Sequence, residues 1–141
     1  MVNIVPALGL REILKRCFIA GGAPALQVQV FVNDVTPDIN TVFGDLTPST
    51  MGGFSPVAIA APILDSGLTP VPTPRWSITW SDNTWTWDLV GVPQTCYGYL
   101  IHNPADNVLW WAVRFDAPKT PSVATPSIRV TPSLQDAELI P

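Results

Sequence analysis

The chain has 141 residues, of which 47% are apolar and only 13% are Asp, Glu, Lys or Arg, with a formal net charge of −4. Soluble domains usually carry roughly 25% charged residues, and a chain this short leaves much of its surface outside the core, so part of that surface is expected to be covered by other chains. The seven basic residues are outnumbered by 11 acids, which excludes a partner held mainly through phosphates, because counterion release needs a dense Lys/Arg surface.

The length fits a single domain of about 100–150 residues, read as an N-terminal arm over 1–24 and a β-domain over 25–141. In the arm, Leu10, Ile13, Leu14, Cys17 and Phe18 follow the spacing of one helical face, with Arg11, Glu12, Lys15 and Arg16 between them. The spacing predicts a short amphipathic helix ended by Gly21-Gly22. So short a helix is not stable alone, so Leu10, Ile13, Leu14 and Phe18 are expected to pack on this chain's own sheet or on a neighbouring subunit. Glu12 dilutes the small basic patch, and nucleic acid is not an expected partner. The opening segment has no apolar run long enough for a signal region or a membrane span, so no membrane partner is expected.

Beyond Pro24 the periodicity is two. Leu26, Val28, Val30 and Val32 alternate with Gln27, Gln29, Phe31 and Asn33, the pattern of a strand with one buried face. Turn residues punctuate Asp34 to Thr50, leaving room for one short strand around Ile39 to Phe43. Phe54 to Ala61 is a further candidate strand. Leu64 to Pro74, with Pro70, Pro72 and Pro74, is expected to be an exposed or edge loop.

In Arg75 to Leu89 two alternating runs flank Asp82-Asn83, which predicts a two-residue hairpin pairing Trp80 with Trp85, Ile78 with Trp87 and Trp76 with Leu89. Trp76, Trp80, Trp85 and Trp87 would then share one face, as core, as a subunit contact or as a platform for stacking sugar rings. A second hairpin is predicted from Cys96 to His102 and Val108 to Phe115 around Asn103-Pro104-Ala105-Asp106-Asn107. Both of its strands are apolar on both faces, as in central strands covered from two sides. A proline-broken stretch, Ala117 to Ser127, precedes a last strand at Ser127 to Leu134, and the tail carries the apolar pair Leu139 and Ile140. Thr-Pro recurs throughout, each proline fixing its own φ and holding the threonine before it extended.

Little in the sequence carries chemistry. His102 is the only histidine, so no histidine cluster can hold a metal, and it reads as a strand-end residue making a local hydrogen bond. Cys17 and Cys96 lack the spacing of a zinc or redox motif. Most of the aspartates fall in turns, where they cap the local backbone. Neither glycine pair has the strand before it and helix after it that a phosphate loop needs. No catalytic residue, metal site or cofactor is expected, and the protein is not expected to be an enzyme.

The order of features has a parallel. The segments IVPALGLREILKR, ALQVQVFVNDVTP, GDLTPSTMGGFSP, CYGYLIHNPADNVLWWAVRFDAPK and RVTPSL resemble, in sequence and order, a family of small tailed-phage proteins encoded among head genes. The residues that carry the resemblance are Val30 to Pro37, Gly44 to Pro56, Tyr97 to Tyr99 and Leu109 to Asp116. Ala112-Val113-Arg114 stands where Ala-Glu-Arg is typical. The resemblance implies a virion component on the outer surface of the capsid, a cement or decoration protein that clamps the major capsid protein and forms a homotrimer. The tryptophan face leaves a glycan-binding, host-recognition module as the alternative. Leu10, Ile13, Leu14, Phe18, Leu139 and Ile140 are the expected partner-facing residues. The fold expected is an all-β antiparallel β-sandwich or jelly-roll-like barrel with one short N-terminal helix.

Overall fold

The computed structural model describes residues 25–38, 40–59, 63–65 and 77–135. The fold is all-β. Its strands in chain order are β1 (Gln27–Phe31), β2 (Val57–Ala58), β3 (Ile63–Asp65), β4 (Ser77–Thr79), β5 (Asn83–Thr86), β6 (Cys96–Asn103), β7 (Val108–Lys119), β8 (Ser127–Val130) and β9 (Ser133–Gln135). All named pairs are antiparallel. Among the described residues the only helical piece is a 3-10 turn at Phe43–Asp45. The predicted helix, with Leu10, Ile13, Leu14 and Phe18, lies outside the described residues, as do Trp76, Leu139 and Ile140.

The chain divides into two compact units. One, built from Ala60–Ser81 and Thr131–Pro141 together with Met1–Pro24, contains the sheet β3-β4-β9. Here Ile78 pairs with Leu64 on one side and Leu134 on the other. The expected loop from Leu64 therefore begins as a strand, and residues 66–74 lie outside the described residues.

The other unit, Ala25–Ile59 and Asp82–Val130, contains the sheet β2-β1-β6-β7 and the two-stranded sheet β5-β8. β1 lies between β2 and β6, and its apolar residues Val28 and Val30 are fully buried. The expectation of a single buried face fails, because Gln29 and Phe31 on the opposite face are buried too. The described residues of 32–48 fold back over that second face. Val32 N–H donates to Thr47 O and Ser49 N–H to Val30 O, while Asn33 gives its Nδ2 to Asp45 O and takes Thr47 N–H at Oδ1. This brings Leu46 onto Phe31 and Leu100, with Val35 and Phe43 packed at the margin. Of the short strand expected around Ile39 to Phe43, Ile39 lies outside the described residues, and the rest forms an Asp38-capped turn and the 3-10 turn.

The tryptophan hairpin does not form. β4 pairs with β3 and β9, while β5 pairs with β8, placing Trp85 opposite Ile128 and Asn83 opposite Val130. A two-residue hairpin turn needs positive φ at its central residues, and Asp82 and Asn83 do not adopt it; among the described residues Leu89 and Asn107 are the non-glycine residues that do. The chain instead runs on through Asn83 as strand. The alternation itself holds in β5, where Trp85 is buried and Thr84 and Thr86 are exposed. Thr86 and Ser127 share a hydroxyl hydrogen bond on the outer face. The last predicted strand is likewise split by Thr131-Pro132 into β8 and β9.

The second hairpin forms as expected. β6 and β7 flank a turn closed by Asn107 N–H to Asn103 O and by Ala105 N–H to Asn103 Oδ1, with Asn107 in the left-handed region that asparagine tolerates. β6 is buried on both faces and lies between β1 and β7. β7 is not central: it forms the end of the sheet.

Candidate functional site

β7 is a 12-residue edge strand. One side pairs with β6, and no described strand pairs with the other. Edge strands expose unpaired backbone groups, and proteins normally blunt them with charges or proline. In β7 this protection is confined to the second half, Arg114 to Lys119, where Arg114, Asp116, Pro118 and Lys119 lie. The first half, Val108 to Val113, has no charge and no proline, and exposes Val108 (52%), Trp110 (39%) and Val113 (37%).

Local irregularities shape this edge. Ile101 pairs with Trp111 but His102 pairs with Leu109, so Trp110 is an extra residue on β7, a β-bulge. Bulges at sheet edges re-aim side chains. Beside the bulge, the loop at Pro37, Asp38 and Thr41 and the β7 residues Leu109 to Ala112 enclose a concavity of about 370 Å³. Arg114 fixes the loop to the strand by donating to Val35 O at 2.9 Å and pairing with Asp34. Its guanidinium also lies 5.3 Å from the centre of the Tyr97 ring. Sequence reasoning did not single out Arg114 or Asp34, although one cation inside an apolar strand signals a partner.

The three described members of the tryptophan set, Trp80, Trp85 and Trp87, are all buried. Trp85 Nε1 donates to Ser55 O and Trp87 Nε1 to Val90 O. Indoles so enclosed offer no platform to a sugar ring. The aspartates hold local structure. Asp38, Asp45, Asp88 and Asp106 accept backbone N–H groups from Asn40, Val42, Val90 and Val108, and Asp82 pairs with Arg129. Among the described residues no three His, Cys, Asp or Glu side chains gather as metal ligands. Cys96 is a buried free thiol whose pKa burial pushes up to about 11, so it stays protonated and unreactive at neutral pH.

No family model, curated protein or solved structure matches this chain.

His102 sits one residue before the end of β6, as expected, but its side-chain hydrogen bond runs across to β1. It is buried within β6, hydrogen-bonded to Gln29 Nε2 at 3.1 Å and stacked on Phe43 at 4.6 Å. Nδ1 has no partner at hydrogen-bonding geometry. Burial lowers the pKa of the ring below its usual 6.5, and the backbone of Asn103 opposes this only in part. The folded state therefore keeps the ring neutral while the unfolded chain takes up a proton as pH falls through about 6.5, so stability declines with falling pH from that point. Thermal melts between pH 7 and pH 5 should fall more steeply for the wild type than for His102→Gln. Parallel slopes would rule out this linkage.

Proposed function

We propose that the protein is a non-enzymatic structural component of a virion, a cement or decoration protein that seats the edge of β7 against the major capsid protein on the outer capsid surface, with sister copies completing a trimer. The observation that carries the reading is the uncharged half of the edge, Val108 to Val113, on a strand whose other half is guarded. Such an edge is built for strand addition or apolar docking, and the tight fixing of its neighbouring loop by Arg114 reduces the entropy lost on docking. The low charge of the chain and the phage-head resemblance support the same reading.

The test is addition of the purified protein to shells that lack it, followed by heating. Bound protein should raise the rupture temperature, and Val113→Lys, which puts a charge on the exposed edge, should weaken binding about ten-fold or more while leaving the protein folded. Shells that rupture at one temperature with and without the protein would refute the clamp.

A further inference from the structure

The loops on either side of the β6-β7 hairpin are fastened together at both ends. At one end Thr86 pairs with Ser127, their hydroxyls bond at 2.8 Å, and Trp87 N–H donates to Pro126 O. At the other, Cys96 pairs with Lys119 and the hydroxyls of Thr95 and Thr120 bond at 2.8 Å. Residues 87–95 and 120–126 therefore run side by side, and they expose Leu89 (52%), Val90 (72%), Val92 (86%) and Val123 (76%). From Leu89 to Thr95 and from Thr120 to Pro126 there is no Asp, Glu, Lys or Arg. We propose that this pair of loops is the surface at which copies of the chain meet. The inference rests on the proposed trimer, names the contact that closes it and makes no use of the β7 edge.

Both loops are held in shape. Val90 N–H donates to Asp88 Oδ1 at 2.9 Å, and Val90 O accepts from Trp87 Nε1 at 3.1 Å, an indole that is itself buried. Between these bonds Leu89 sits in the left-handed region at φ 65°, where leucine is rarely found. Such strain persists only where the surroundings fix it, and it clusters at binding sites. Val123 stands in a turn closed by reciprocal backbone bonds between Ser122 and Thr125, both 3.1 Å, and by their hydroxyls. Apolar tips on a fixed backbone lose little entropy on docking. Charge selects the partner. A surface that meets its own copies sets like charges near one another, so a charge-free centre suits self-contact. The two ends are opposite in sign: exposed Asp88 stands at the Thr86–Ser127 end and exposed Lys119 at the Cys96 end. In a closed ring the head of one copy meets the tail of the next, which brings Asp88 of one copy toward Lys119 of its neighbour. An anionic lipid surface is disfavoured, because neither charge-free stretch offers it a cation.

The test is sedimentation velocity of the full-length protein across a concentration series. The wild type should associate to a trimer. Val92→Lys and Val123→Lys, at positions exposed enough to take a charge without unfolding the monomer, should each weaken association about ten-fold or more with an unchanged circular dichroism spectrum. Val113→Lys should leave association as it is. Lys119→Glu should weaken it by setting like charges together. Asp88→Asn keeps the Oδ1 acceptor and should recover part of that loss in the Lys119→Glu background. A dimer that is lost in Val92→Lys would uphold the surface and refute the trimer, whereas a trimer indifferent to both loop lysines would refute the surface and leave the trimer standing. A wild type that stays monomeric, one that floats as a monomer with phosphatidylcholine vesicles, association lost in Val113→Lys but not in the loop variants, or no effect of Lys119→Glu would each overturn the proposal.

Discussion

Trp85→Ala is expected to lower the unfolding free energy by about 4 kcal/mol, the range in which removal of a buried large aromatic falls. Trp85 is 2% exposed, faces Ile128 across the β5-β8 pair and donates its Nε1 hydrogen to Ser55 O at 2.9 Å. Truncation therefore opens a cavity and also leaves a carbonyl without its donor. Trp85→Phe separates the two contributions. It keeps a ring in the cavity but still removes the donor, and should cost about 1–3 kcal/mol. Both losses are read from denaturant midpoints at constant m. A loss below about 1 kcal/mol for Trp85→Ala would show that this tryptophan is not a main support of its sheet.

How far the sequence reveals this fold depends on how far apart the partners lie. The β6-β7 hairpin is legible because two alternating runs and the Asn103–Asn107 turn point to one pairing, and the partners are close in sequence. The tryptophan run offered the same alternation and misled. Alternation tells which residues share a face and is silent on which strand lies beside them, and Trp85 finds Ile128, 43 positions on, rather than Trp80. The second buried face of β1 was hidden for a similar reason. Its cover comes from a turn-rich loop held by Asn33, a residue whose bonds to Asp45 and Thr47 leave no periodic trace.

The candidate site was less legible than the fold. The apolar residues of β7 were visible, but two-sided apolarity in the sequence fits a central strand as well as an edge held for a partner. Only the sheet order separates β6, which is central, from β7, which is not. The bulge at Trp110 was beyond reach, since an extra residue exists only relative to a partner strand whose register is known. The concavity beside it depends on that bulge and on a loop brought in by a long-range Arg114 contact, so neither half of it has a local signature.

The second large effect is expected at Gly98, which pairs with Arg114 of the edge strand. A methyl group there would lie 2.1 Å from Val113 O and 2.5 Å from the Phe31 ring carbons Cε1 and Cζ. Both obstacles are firm. Val113 O belongs to the paired strand β7, and Phe31 is fully buried against Leu46 and Leu100. Gly98→Ala must then either push β7 away from β6 or displace Phe31, at a cost of about 3 kcal/mol, the upper part of the range for overpacking. The two routes are separable. Phe31→Leu removes ring carbons and leaves the carbonyl, so in the Gly98→Ala background it should restore part of the loss although it destabilises the wild type, a coupling measurable in a double-mutant cycle. If the two costs simply add, Phe31 does not resist the methyl and the strain falls on the β6-β7 pairing alone. In that case Gly98→Ala should also weaken shell binding at Val108 to Val113, because β7 would no longer be held flat against its neighbour.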